Sequence, residues 1–205
     1  MNKFMGMLVN EFHLSIRFIL IYYVGFAIIL VINHFFDRLL GYGVTHFADI
    51  YLLVVIPSVV LDSRYMSYAT QWASFVANFP AGRLHSALVP YVAFMLVLSC
   101  SALVWLGLLA VGIRSDSDFL LFYSLVACML LAIYMPVVNW VRSSFNRMMI
   151  LLATLYASMY AINSFIRILP SLYLFIPVLA ACLSLSVFIS RALLSESDRY
   201  MRSVF

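Results

Sequence analysis

What this sequence has least of is charge: 10% of its 205 residues are Asp, Glu, Lys or Arg, while 66% are hydrophobic. A soluble domain is roughly a quarter charged, so an ordinary water-exposed fold is excluded and the chain belongs in lipid. Lysine is nearly missing. Lys3 stands alone against eleven arginines, which rules out ATP hydrolysis on a phosphate-cradling loop, because the G-x-x-x-x-G-K-[ST] pattern needs its lysine. Any work the protein performs must draw on a separate subunit or on an ion gradient. Cysteine is equally thin. Cys100, Cys128 and Cys182 each sit inside an apolar run without C-x-x-C spacing, and they read as small core residues rather than metal ligands or a disulfide framework.

Acids are missing from the middles of the apolar runs. Glu11, Asp37, Asp49, Asp62, Asp116, Asp118, Glu196 and Asp198 all fall at or near expected membrane boundaries, whereas a gradient-driven transporter keeps ionisable groups within the membrane to bind its coupling ion. Asp49 is the nearest to an exception, since it could sit a turn inside a span beside His46; a helix-end cap is the assigned role. The histidines His13, His34, His46 and His85 form no H-E-x-x-H pattern and no Ser-His arrangement. Without a nucleophile with its base, or metal ligands at helical spacing, no enzyme activity and no cofactor are expected in this chain. The net charge of +4 needs no nucleic acid to explain it, because basic residues gather at the cytoplasmic ends of membrane helices.

What is present is a series of long apolar runs. A bilayer core of roughly 30 Å takes about 20 helical residues, since only a helix satisfies its own backbone hydrogen bonds where water is absent. Six stretches qualify, approximately 16–36, 47–62, 86–113, 119–140, 148–168 and 172–192. The expected fold is an all-α polytopic membrane protein of six transmembrane helices in one domain, residues 1–205. The second span, holding Asp49 and Pro57, is the shortest. Pro136 and Pro177 are read as kinks. The chain start, interrupted by Lys3, Asn10, Glu11, His13 and Arg17, lacks the profile of a cleavable signal, so the first span is expected as an uncleaved anchor. Nine basic residues, among them Arg64, Arg83 and Arg142, fall on one side of the bundle, and Arg38, Arg114 and Arg167 on the other. Both termini are therefore expected in the cytoplasm.

Two helical patterns are too short or too polar to cross. From Met1 to Arg17, Phe4, Leu8, Phe12 and Ile16 recur at four-residue steps opposite Lys3, Asn10, His13 and Arg17, the pattern of an interfacial amphipathic helix over about residues 1–15. From Met66 to Phe79, Tyr68, Trp72, Phe75, Val76 and Phe79 share one side, and Phe79-Pro80-Ala81-Gly82 ends the segment before Arg83. Periodicity alone favours a surface helix sealing the bundle floor over a docking element. In the fifth span Ala153, Ala157 and Ala161 form a small-residue stripe that fits packing within the subunit and a dimer interface equally well. Tyr156, Tyr160 and Asn163 add polar tips to the same helix, as the wall of a cavity for an amphipathic substrate would, or as interfacial anchors.

The order of these elements resembles the membrane subunit of an ATP-binding cassette exporter of the type-2 permease class, in its small six-span bacterial form. Met1 to Arg17 resembles the amphipathic elbow helix of that family. Asp62-Ser63-Arg64, Trp72 and Phe79-Pro80-Ala81-Gly82-Arg83 resemble its cytoplasmic coupling helix, placing that element at residues 63–83. Pro136-Val137-Val138-Asn139-Trp140-Val141-Arg142 with Asn146-Arg147 is similar to the segment that follows the family's fourth span, although Ser143-Ser144 stand where a glycine is frequent. The resemblance implies export of an apolar or amphipathic substrate (peptide, drug or lipid-like) across a bacterial cytoplasmic membrane. It also implies a second permease subunit, identical or different, and separate cytoplasmic ATPase subunits that hold ATP and Mg. Asp62, Arg64, Tyr68, Trp72, Phe75, Phe79 and Arg83 would then couple to the ATPase, Ala153, Ala157 and Ala161 would face the partner permease, and Tyr156, Tyr160 and Asn163 would line the substrate cavity. The alternative is a membrane assembly or immunity module that binds another membrane protein without transport.

Overall fold

A computed structural model describes residues 3–40, 45–60, 83–112, 118–140, 144–168 and 175–204. Apart from the turn at Val111 and Gly112, the described residues are helical and none is in a strand. We number the helices α1 (Lys3–Leu40), α2 (residues 45–60), α3 (Arg83–Ala110), α4 (Asp118–Trp140), α5 (Ser144–Ile168) and α6 (Phe175–Val204). Four contain windows long and apolar enough to cross a membrane: Ser15–Ile32, Ala87–Ala110, Leu120–Val137 and Phe175–Leu193. The apolar parts of α2 and α5, Ala48–Val60 and Met149–Ser164, are shorter.

The first difference from the sequence expectation is at the start of the chain. Instead of an elbow followed by a separate span, Lys3–Leu40 is a single helix of 38 residues, about 57 Å long at 1.5 Å per residue. No proline or glycine lies between Gly6 and Gly25 to break it. The face it turns inward also differs. Leu8, Ser15, Ile19 and Phe26 are buried, with Phe12 and Tyr22 half-buried between them, while Ile16 is exposed. Steps alternating between three and four keep a stripe on one side of a helix, whereas the strict four-residue step through Ile16 drifts around it.

Helices α2 and α4 make the centre. α4 packs against α2, α3, α5 and α6, and α2 against α1, α3 and α4. In α2, Ala48, Asp49, Leu52, Leu53, Val54, Ile56, Pro57, Val59 and Val60 are buried and Ile50, Tyr51, Val55 and Ser58 half-buried, as suits a mostly apolar helix with neighbours on several sides. α5 is the outlier, packing chiefly on α4 through Thr154, Ser158 and Ile162. Across α3 and α4, Met95 Sδ accepts from the Cys128 thiol at 3.9 Å, while Trp105 and Tyr123 both approach Asp49. Rising along α3 thus means descending along α4, so the two run antiparallel.

The prolines act differently from one another. Pro90 and Pro136 lie inside α3 and α4. Pro177 falls in the first turn of α6, where a missing N–H costs nothing, so it begins that helix rather than kinking it. Pro57 has the largest local consequence. Ending two residues before it, Tyr51–Val55 is a π-helical turn in which the Ile56 N–H donates to the carbonyl of Tyr51, five residues back. Proline has no N–H to give the carbonyl four residues earlier and its ring crowds that carbonyl, so the turn ahead of it widens. The Ser58 hydroxyl donates to the Val55 carbonyl at 2.7 Å, satisfying part of the disturbed backbone.

Candidate functional site

The most polar buried site among the described residues is built around α2. Asp49 is 3% exposed and its Oδ1 accepts a hydrogen bond from Trp105 Nε1 of α3 at 3.0 Å. Tyr123 of α4, also buried, lies within electrostatic reach of the same carboxylate. Three helices therefore converge on one acid, roughly a turn and a half inside the end of the bundle where α3 finishes and α4 begins. Asp49 is not a helix-end cap: it lies in the fifth position of its helix and bonds across to a residue 56 positions away. A buried carboxylate is kept in an apolar bundle only where donors compensate for lost water, and an indole N–H is a donor with no acceptor role to conflict.

The π turn directly follows this acid and is itself gripped from α1. The Tyr51 ring stacks on Tyr22, with centroids 6.1 Å apart, and its hydroxyl lies against Gly25, where an added Cβ would stand 2.9 Å away. One turn along, the Tyr23 and Ser101 hydroxyls share a hydrogen bond of 2.9 Å between α1 and α3. Trp105 itself is fully buried. Sequence reading passed over Trp105, Tyr123 and Tyr23; the available signal was an indole and two phenols within apolar runs, groups that find a polar partner when buried.

A second polar cluster ties α3 to α6. The buried Tyr91 hydroxyl bonds to Ser186 Oγ at 2.7 Å and Ser190 Oγ at 3.0 Å. Beside it a surface groove of about 370 Å³ runs between α3, α4 and α6, walled by Tyr91, Met95, Leu96, Leu131, Leu183 and Val187. Its two remaining hydroxyls are turned to their own helices, Ser99 donating to the Met95 carbonyl and Ser184 to the Ala180 carbonyl, each at 2.8 Å. The groove is apolar in consequence.

Among the residues singled out from sequence, Asp62, Arg64, Tyr68, Trp72, Phe75 and Phe79 lie outside the described residues. Arg83 opens α3, and its side chain is likewise outside them. The other six stand together on α5. Ala153, Ala157 and Asn163 are exposed, Ala161 is half-buried, and Tyr156 and Tyr160 are 77% and 69% exposed. The small-residue stripe and the tyrosines therefore share the face turned away from α4. None of the six lines the groove.

Compared with known protein families, curated proteins and solved structures, the chain matches none.

Proposed function

We propose that this chain is the membrane-spanning subunit of an ATP-driven exporter of the type-2 permease kind, working in a bacterial cytoplasmic membrane with both termini inside. A second permease subunit and separate ATPase subunits complete the machine, and the cargo is apolar or amphipathic. On this reading all six helices cross, with α2 and α5 completing the set begun by the four longer ones. The observation that carries the reading is the position of α2. None of residues 48–60 is exposed, and Ala48, Leu52, Leu53 and Ile56 are fully buried; in sequence this helix is followed by residues 63–83, the proposed coupling segment, whose last residue, Arg83, opens α3. A push on that segment is delivered to the centre of the bundle rather than to its rim. Trp72 and Phe75 are the anchors expected to seat in the ATPase, because large aromatics dominate such contacts. The exposed α5 face, with its alanine stripe and outward tyrosines, supports contact with the second permease subunit and with cargo.

Co-purification from native membrane in mild detergent tests this. An ATPase chain in about one-to-one ratio supports the exporter. Recovery with a different membrane protein and no ATPase overturns it in favour of an assembly or immunity module.

A further inference from the structure

Asp49 and the π turn adjoin each other, and their geometry makes one device. A π turn holds one residue more than the α-helix it interrupts. If Tyr51–Val55 closed into α geometry with Ile56–Val60 held in place, everything before the turn would rotate by about 100°, one residue's share of a 3.6-residue turn. Ile50 would then occupy the direction now held by Asp49. In most helices the π form loses to the α form, because α geometry makes the better i→i−4 bond. Here Pro57 cannot donate to the Leu53 carbonyl in either form, so the usual preference for α is weakened just where the turn lies. The contacts that hold the π form therefore come from neighbouring helices: Trp105 Nε1 on Asp49 at 3.0 Å, and Tyr22 and Gly25 against Tyr51.

We propose that α2 is a two-position rotary latch, held in its π form by the Asp49–Trp105 bond and released by closing of Tyr51–Val55 into an α-helix, which swings Asp49 away from α3 and α4 and brings Ile50 in. Small changes at one end of a packed bundle become discrete movements when an element has two arrangements of similar energy. Asp49 reports the position of the latch, since its carboxylate is sheltered in one arrangement and turned out of its donors in the other. The latch does not depend on the exporter assignment, which stands or falls on co-purification.

The test uses the full chain in phosphatidylcholine nanodiscs, treated with an apolar carbodiimide, with modification of Asp49 followed by peptide mass spectrometry. Wild-type protein is expected to react slowly. Trp105→Phe, which removes the donor and keeps an aromatic ring, is expected to react at least tenfold faster. Deleting Val55 in that background leaves no extra residue to absorb, so Asp49 stays pinned to its present direction and the rate returns to within about twofold of wild type. An unchanged rate in Trp105→Phe overturns the latch. Fast reaction in the doubly altered protein also overturns it, because loss of the indole alone would then have uncovered the acid. Should Trp105→Phe fail to fold, deletion of Val55 alone decides: reaction slower than wild type supports a latch that wild-type protein samples, and equal or faster reaction contradicts it.

Discussion

Among the described residues, α2 and α5 carry shorter apolar stretches than the other four helices, and they deal with their polar atoms in opposite ways. α2 spends its one acid across the bundle, on Trp105 of α3. α5 turns its hydroxyls back on itself: Thr154 donates to the carbonyls of Ile150 and Leu151 at 2.8 and 3.0 Å, and Ser158 to that of Thr154 at 2.7 Å. Those hydroxyls face α4 yet contribute no bond to it. α2 is thus a post tied by a hydrogen bond from α3 and a ring stack on α1, and α5 a rim helix held by packing on one side. Changes in α2 should disturb the whole bundle, whereas changes on the outer face of α5 should leave the fold intact and alter only what it meets.

The largest expected effect is at the centre. Trp105→Ala removes a fully buried indole and leaves Asp49 without its α3 donor, and should cost about 3–5 kcal/mol in reversible unfolding in mixed micelles. A loss below about 1 kcal/mol would erase the distinction between post and rim. Tyr91→Phe sharpens the comparison at an intermediate scale. It deletes the hydroxyl shared with Ser186 and Ser190, and about 0.5–1.5 kcal/mol should be lost in the same assay. At the rim, Ala157→Leu should leave unfolding within about 0.5 kcal/mol of wild type; if the proposed second permease subunit packs on this face, the substitution should also reduce crosslinked dimer in membranes, and a wild-type yield of dimer would contradict that part of the proposal. On the proposed exporter reading, Trp72→Ala and Phe75→Ala should abolish substrate-stimulated activity of the co-purifying ATPase; unchanged activity in both would remove these residues from the coupling role. The smallest effect belongs to Gly25→Ala. The added methyl meets only the far end of the Tyr51 side chain, and the gain in helix propensity of about 1 kcal/mol offsets the displacement, so the unfolding midpoint should hardly move.

Much of the architecture was readable from the chain because the apolar runs are long and their composition leaves a helix as the only way to satisfy the backbone in lipid. Local readings went astray where two signals competed. At the start, the amphipathic pattern from Phe4 to Ile16 suggested a separate elbow, but nothing between Gly6 and Gly25 breaks the helix, and Ser15 rather than Ile16 faces inward. Pro177 reads as a kink in sequence but begins α6, while Pro57 is the proline beside the π turn. The partnership of Asp49 with Trp105 could not be read at all. Nothing in a one-dimensional pattern says which of several buried aromatics lies opposite an acid 56 residues away. The Asp49 site thus needed the packing of three helices before it became visible.

A double-mutant cycle on Asp49→Leu, which removes the acceptor at similar volume, and Trp105→Phe, read by reversible unfolding in mixed micelles, tests most directly whether α2 is pinned at the heart of the bundle by this pair. The structure predicts a coupling of about 0.5–3 kcal/mol, the range that spans hydrogen bonds to neutral and to charged groups. Additive losses, with coupling within about 0.3 kcal/mol of zero, would contradict it.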